Sequence, residues 1–188
     1  MTTLAAPAPA RVTREQFLAM VDRGVFTHDD RVELLEGVIV TMAPEGPQHA
    51  TGVDLAMEAL RRALGERALV RPAHPFDAGR RSVPQPDVLV VAGPLRAYRA
   101  AHPSSAHLAV EVADSSLAQD RLTKAPIYAA AGVPEYWIVD LRARRVEVHR
   151  APDRKRRRYR VVEVAPPHGR IALAAFPDVS VAVDDLLP

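Results

Sequence analysis

The sequence predicts an α/β (α+β) domain, a mixed central sheet with helices packed on it. Three observations lead there. Segments with helical period alternate with strand-like runs, in the order helix, hairpin, helix, three strands, helix and further strands. Two runs, DVLVV at 87–91 and HLAVEV at 107–112, are nearly continuous apolar stretches, as in strands buried in the middle of a sheet. The 188 residues show no solenoid-length repeat, and they suffice for one hydrophobic core.

The Ala/Pro-rich start, MTTLAAPAPAR, predicts a disordered arm over residues 1–12, followed by a single domain over 13–188. Thr13 and Gln16 have capping-box spacing, so a helix is expected over residues 14 to 23, stopped by Gly24. RVELLEGVIVTM reads as a hairpin turning at Glu36-Gly37. Val53, Met57, Leu60 and Leu64 form one apolar stripe, which predicts an amphipathic helix from about 48 to 64 with His49 at its start. Residues 68–76 make a weak strand, interrupted by Pro72 and Pro75. The strands at 87–91 and 107–112 flank a long loop over 93–106. Ser115 or Ser116 can cap a helix over 117–131 ended by Gly132, and Pro126 should kink it near Leu122. Tyr136 to Val139 is a further apolar strand whose aromatic residues belong to the core. The alternating run 145–149 pairs with 159–164, and the remainder closes a C-terminal edge.

Composition removes several function classes. Without cysteine there are no disulfides, thiolate zinc sites or cysteine nucleophiles. No apolar run approaches the ~20 residues that span a bilayer, and the N-terminus lacks the marks of a secretory signal. The expectation is a cytoplasmic protein with no membrane partner. A formal net charge of +2 does not by itself announce a nucleic-acid binder. The run Arg154-Lys155-Arg156-Arg157-Arg158 is either a solvated hairpin tip or a loop that touches phosphate.

Asp87 opens one buried-looking strand and Glu111 lies near the end of the next. A carboxylate inside an apolar strand is costly unless it is paired or holds a cation. Two on consecutive strands can converge on a hard divalent ion such as Mg²⁺; alternatively, each pairs with an arginine at a sheet edge. Asp120, Lys124 and Tyr128 are spaced i, i+4, i+8, on one helix face. Asp120 and Lys124 then form either a surface ion pair or a site in which Lys124 points back towards Glu111. Histidines His49, His74 and His107 lack a zinc-ligand spacing.

These residues, in this order, resemble a known family. ELLEG at 33–37, His49, QPDVLVV at 85–91, VEVADSS at 110–116, DRLTK at 120–124, Tyr128 and GVPEYWIVD at 132–140 are similar to the Uma-two family of restriction-endonuclease-like domains, within the PD-(D/E)xK nuclease superfamily. The likeness covers roughly residues 13 to 150. It implies a restriction-endonuclease-like mixed sheet flanked by helices, with Asp87 and Glu111 binding Mg²⁺ or Mn²⁺. It makes Lys124 the catalytic amine, because the lysine usual two residues after the glutamate is Ala113 here. Glu33, Glu36, His49, Asp120 and Tyr128 become supporting residues, and either Glu33 or Glu36 can add a third carboxylate. Asp114 departs from the family pattern and adds negative charge near the site. The activity implied is metal-dependent endonucleolytic hydrolysis of DNA, with a homodimer as an accompanying expectation. The alternative is a nuclease-like module that binds nucleic acid or protein without cutting.

Overall fold

The computed structural model describes residues 10–27, 29–42 and 44–188. Helix α1 (Arg14–Asp22) begins with the expected box: Gln16 N–H donates to Thr13 Oγ1 and Thr13 N–H donates to Gln16 Oε1. Strands β1 (Val32–Leu35) and β2 (Val38–Thr41) form the hairpin. Its turn residues both have positive φ, 53° at Glu36 and 79° at Gly37, the conformation a two-residue hairpin needs. A side chain at position 37 would also place its Cβ 2.8 Å from Arg11 Cβ, so glycine is required there on two grounds.

Of the arm expected over residues 1–12, residues 1–9 lie outside the described part. Arg11 and Val12 do not belong to an arm. Val12 N–H donates to Gly37 O at 2.9 Å and the Arg11 guanidinium donates to Glu36 O, which ties both to the hairpin.

Helix α2 (Pro47–Leu64) follows, then β3 (Leu69–Pro72), β4 (Val88–Val91) and β5 (Leu108–Ala113). Pro72 ends β3, so the weak strand expected over 68–76 closes four residues early. The long loop after β4 contains one 3₁₀ turn, Leu95–Tyr98. A helical segment, described below, leads to β6 (Glu135–Asp140), β7 (Arg145–Asp153) and β8 (Arg158–Ala165). Hairpin strands β9 (Arg170–Leu173) and β10 (Phe176–Ala182) and a 3₁₀ turn, Val183–Leu186, complete the chain.

The central sheet is mixed, in the order β3-β4-β5-β6-β7-β8. Only β5 and β6 run parallel, which is why a helical crossover joins them. One face carries Val88, Val90, Val110, Val112, Trp137 and Val148 and packs on α2 and the C-terminal hairpin. The other carries Leu89, Ala109, Tyr136 and Ile138 and packs on the crossover helix. Strands β4, β5 and β6 are buried along their whole length, as their continuous apolar runs imply. A small satellite core of Phe17, Leu34 and Val83 fastens α1 and the first hairpin to the segment that leads into β4. Among the described residues no helix is long and apolar enough to cross a membrane.

The crossover is not a uniform helix. A short α3 (Leu117–Gln119) passes into a π-helical turn, Asp120–Lys124, before α4 (Ala125–Ala131) resumes the α-helix. Pro126 causes this. It has no N–H to give to Leu122 O, and its ring would strike that carbonyl in a regular α-helix. The chain widens by one residue per turn instead, a device often found at functional sites. Gly132, at φ 84°, ends α4.

Candidate active site

Six elements deliver the polar residues to one place. In the β4–β5 register Val88 stands opposite Val110, and continuing by one residue sets Asp87 beside Glu111. The Val112 N–H donates to Asp87 Oδ2 at 2.7 Å, fixing the first carboxylate to the neighbouring strand. Strand β1 brings Glu33, whose Oε2 accepts from Gln85 N–H at 3.1 Å. The π-turn brings Asp120 and Lys124, and α4 brings Tyr128.

The N-terminal turn of α2 brings His49, with Nε2 3.4 Å from Asp87 Oδ2. Gly52 makes that approach possible. A Cβ there would lie 2.9 Å from Val112 Cγ1, so only glycine lets α2 sit this close to β5.

Lys124 Nζ lies 3.0 Å from Glu111 Oε2 and 3.5 Å from Glu33 Oε1. Tyr128 OH donates to Glu111 Oε1 at 2.7 Å, and Ser116 Oγ donates to Asp120 Oδ2 at 2.6 Å. A cleft of about 360 Å³ opens over Glu33, His49, Asp87, Glu111, Asp120 and Lys124.

The electrostatics follow from burial. Glu33, Asp87, Glu111 and Asp120 are buried carboxylates, each at most 5% exposed, and Lys124 is the buried ammonium among them. Desolvation raises Glu111 well above the usual carboxylate range; Lys124 opposes this, and Asp87, Asp120 and Glu33 add to it. Burial likewise lifts Asp120 to about 6. Burial alone would lower the lysine, but Glu111, Glu33, Asp120 and Asp87 together raise it, so Lys124 stays charged. Burial and the adjacent Glu111 keep Tyr128 a neutral donor. His49 is raised by its interaction with Asp87 against the opposing effect of burial, and its buried Nδ1 has no partner.

One ammonium does not balance four carboxylates, and the donors facing the cleft are mostly oxygens. That donor set suits a hard divalent cation, and Asp87 with Glu111 would hold it. Among the described residues no three His, Asp or Glu side chains already converge as a metal cage. Mg²⁺ does not need one, since it keeps several waters and takes one or two carboxylates.

The sequence-predicted residues Asp87, Glu111, Lys124, Glu33, His49, Asp120 and Tyr128 all meet here. Asp120 and Lys124 are not a solvated ion pair; both are buried, and Lys124 pairs with Glu111 and Glu33. Glu36 is the exception. Its turn position directs it away from the cleft, where its carboxylate pairs with Arg157 and accepts from Ser82 Oγ. Of the two acids in ELLEG, Glu33 on β1 faces the cleft and Glu36 in the turn does not.

Ser116 does not cap the helix through its side chain; it bonds Asp120 instead. Nothing in its sequence context distinguishes these roles. Asp114 pairs with Arg142 at 3.1 Å at the rim. Residues 154–157 of the basic run form an exposed turn between β7 and β8, with Arg154 donating to Ala130 O and Arg156 pairing with Asp153, and Arg158 opens β8.

A family model described as "Putative restriction endonuclease", Uma2, matches residues 14–184. The chain belongs to the Uma2 family. A solved structure with the same fold is described as a putative nuclease belonging to DUF820 from Anabaena variabilis ATCC 29413. It superimposes with a TM-score of 0.67 at 14% identity, covering 93% of this chain and 97% of that one. At that identity the likeness establishes the fold alone. The search of curated proteins returned no match. In this Uma2 chain Ala113, two residues after Glu111, is 1% exposed, and the ammonium beside Glu111 comes from the π-turn.

Proposed function

We propose that this Uma2 chain is a divalent-cation-dependent endonuclease that hydrolyses DNA phosphodiester bonds. The observation that carries the reading is Lys124 Nζ, held charged at 3.0 Å from Glu111 and opening with Asp87 onto the same cleft. A bound Mg²⁺ or Mn²⁺ would supply charge neutralisation at the phosphate and a more acidic water.

The chain's own groups do the rest. The Val112 N–H and His49 hold Asp87, and Tyr128 fixes the Glu111 carboxylate in one orientation. Glu33 and Glu111 keep Lys124 protonated, so that its N–H groups can orient the attacking water and stabilise charge growing on phosphorus. Each Glu111 oxygen already accepts one hydrogen bond but retains a second lone pair for a cation.

That same satisfaction of Glu111 supports a second reading, a nuclease-like module that binds without cutting. Purified protein incubated with supercoiled plasmid and single-stranded DNA, in Mg²⁺, Mn²⁺ or EDTA, separates the two. Nicking that needs the metal and vanishes in Asp87→Ala supports the nuclease. Binding with no cleavage in any metal refutes it.

A further inference from the structure

A second charged site lies at the sheet edge, on β3. Arg71 pairs with Leu89 and is 9% exposed. Its guanidinium carbon lies 4.8 Å from the ring centre of Tyr98, which stacks over it from the 3₁₀ turn of the long loop. Its Nε and Nη1 are sealed from solvent and have no hydrogen-bond partner.

A buried guanidinium cannot shed its proton, so its charge must be met by an acid or by something outside. Asp77, the acid whose charge reaches His102, is paired with Arg14. The Arg71 charge also reaches His74 and His102. Burial first, and then the Arg71 charge, holds both imidazoles below their ordinary pKa. Tyr98 and His102 also line a cleft of about 430 Å³, together with Arg14, Arg99, Asp22 and Asp77. The Arg71 guanidinium is thus cationic and desolvated, and among the described residues no acid pairs with it.

We propose that Arg71, flanked by His74 and His102 and held flat by Tyr98, forms an anion site that takes a phosphate group. The sealed Nε and Nη1 leave Nη2 as the donor that an outside ligand reaches, with the two imidazoles alongside. Phosphate suits this set, because guanidinium and the N–H of a neutral imidazole both donate to its oxygens and its charge offsets that of Arg71. The site shares no residue with the Asp87–Glu111–Lys124 cluster, and it does not rest on the nuclease reading.

The test uses the full chain, free of metal. Inorganic phosphate is titrated against chloride at constant ionic strength, and the histidine ring signals are followed by NMR, with His107 and His149 as internal controls. The expected result is a saturable shift at His74 and His102 and an affinity at least tenfold weaker in Arg71→Gln. Rings that do not respond, or that respond equally in Arg71→Gln, overturn the proposal. Should that variant unfold, the exposed pair His74→Asn and His102→Asn serves instead, with loss of phosphate-induced thermal stabilisation as the readout and its retention as the refutation. A second arm identifies the source of the phosphate. Short duplex DNA is titrated in EDTA across a salt series. If Arg71→Gln weakens binding and lowers the slope of log affinity on log salt by about one, the ligand is the nucleic-acid backbone. Unchanged DNA binding with lost inorganic phosphate binding assigns the site to a small phosphate compound.

Discussion

Replacing Lys124 with methionine removes an ammonium and keeps most of the stem that fills its place. The partners left behind, Glu111 and Glu33, are 3% and 2% exposed, so water cannot take over the lost contacts. Breaking a buried ion pair from one side costs about 3–5 kcal/mol. In a chain of this length each kcal/mol moves the midpoint by roughly 2–4 °C, so a fall of about 10 °C is expected. The loss depends on pH. Lys124 is the group that opposes the upward pull on Glu111, so its removal raises that carboxyl further. A carboxyl raised in the folded state is protonated, and harmless, at low pH; its cost grows as pH climbs towards the folded pKa. Thermal unfolding in EDTA should therefore show a larger deficit at pH 8 than at pH 5, and the double variant Lys124→Met, Glu111→Gln should recover much of it. A single variant that melts within about 2 °C of the parent at pH 8, or a double variant that recovers nothing, would refute the buried-pair argument.

Four further outcomes are expected. Asp120→Asn removes a carboxyl whose folded pKa is raised from 3.8 to about 6. Its destabilising effect is absent below pH 4 and complete above about pH 6, so denaturant titrations in EDTA should show a gain of up to about 3 kcal/mol at pH 7 and almost none at pH 4. Tyr128→Phe deletes a donor to Glu111, and should cost about 1.5–3 kcal/mol in urea unfolding and reduce plasmid nicking more than it reduces DNA binding. Gly52→Ala pushes α2 off β5, with an expected cost of about 1–3 kcal/mol and a displaced His49, visible as a changed His49 titration by NMR. Glu36→Asn, which suits positive φ, should leave cleavage unchanged and stability within about 1 kcal/mol, since Glu36 faces Arg157 and not the cleft; a loss of nicking would return Glu36 to the site.

Much of the site is legible in the chain because its signals are local. A carboxylate in an apolar run marks Asp87 and Glu111, and a spacing of four marks Asp120, Lys124 and Tyr128 as one face. The hairpin, the capping box and the disruption before Pro126 are likewise local steric facts. The form of the disruption was less accessible. Pro126 announces a broken helix, but a π-turn in place of a simple kink depends on the strands and the acids against which Lys124 is packed.

The amino-acid order alone settles which residues are polar, which face of each element is apolar and where the backbone must turn, because these depend on neighbours a few positions away. Folding in three dimensions decides who pairs with whom. Glu33 enters the cleft and Glu36 leaves it because β1 packs beside the sheet and its turn reaches Arg157. Arg71 is left without an acid because of what the edge of β3 happens to face. Charge compensation acts through space in a medium of low dielectric, and distance along the chain carries no information about it.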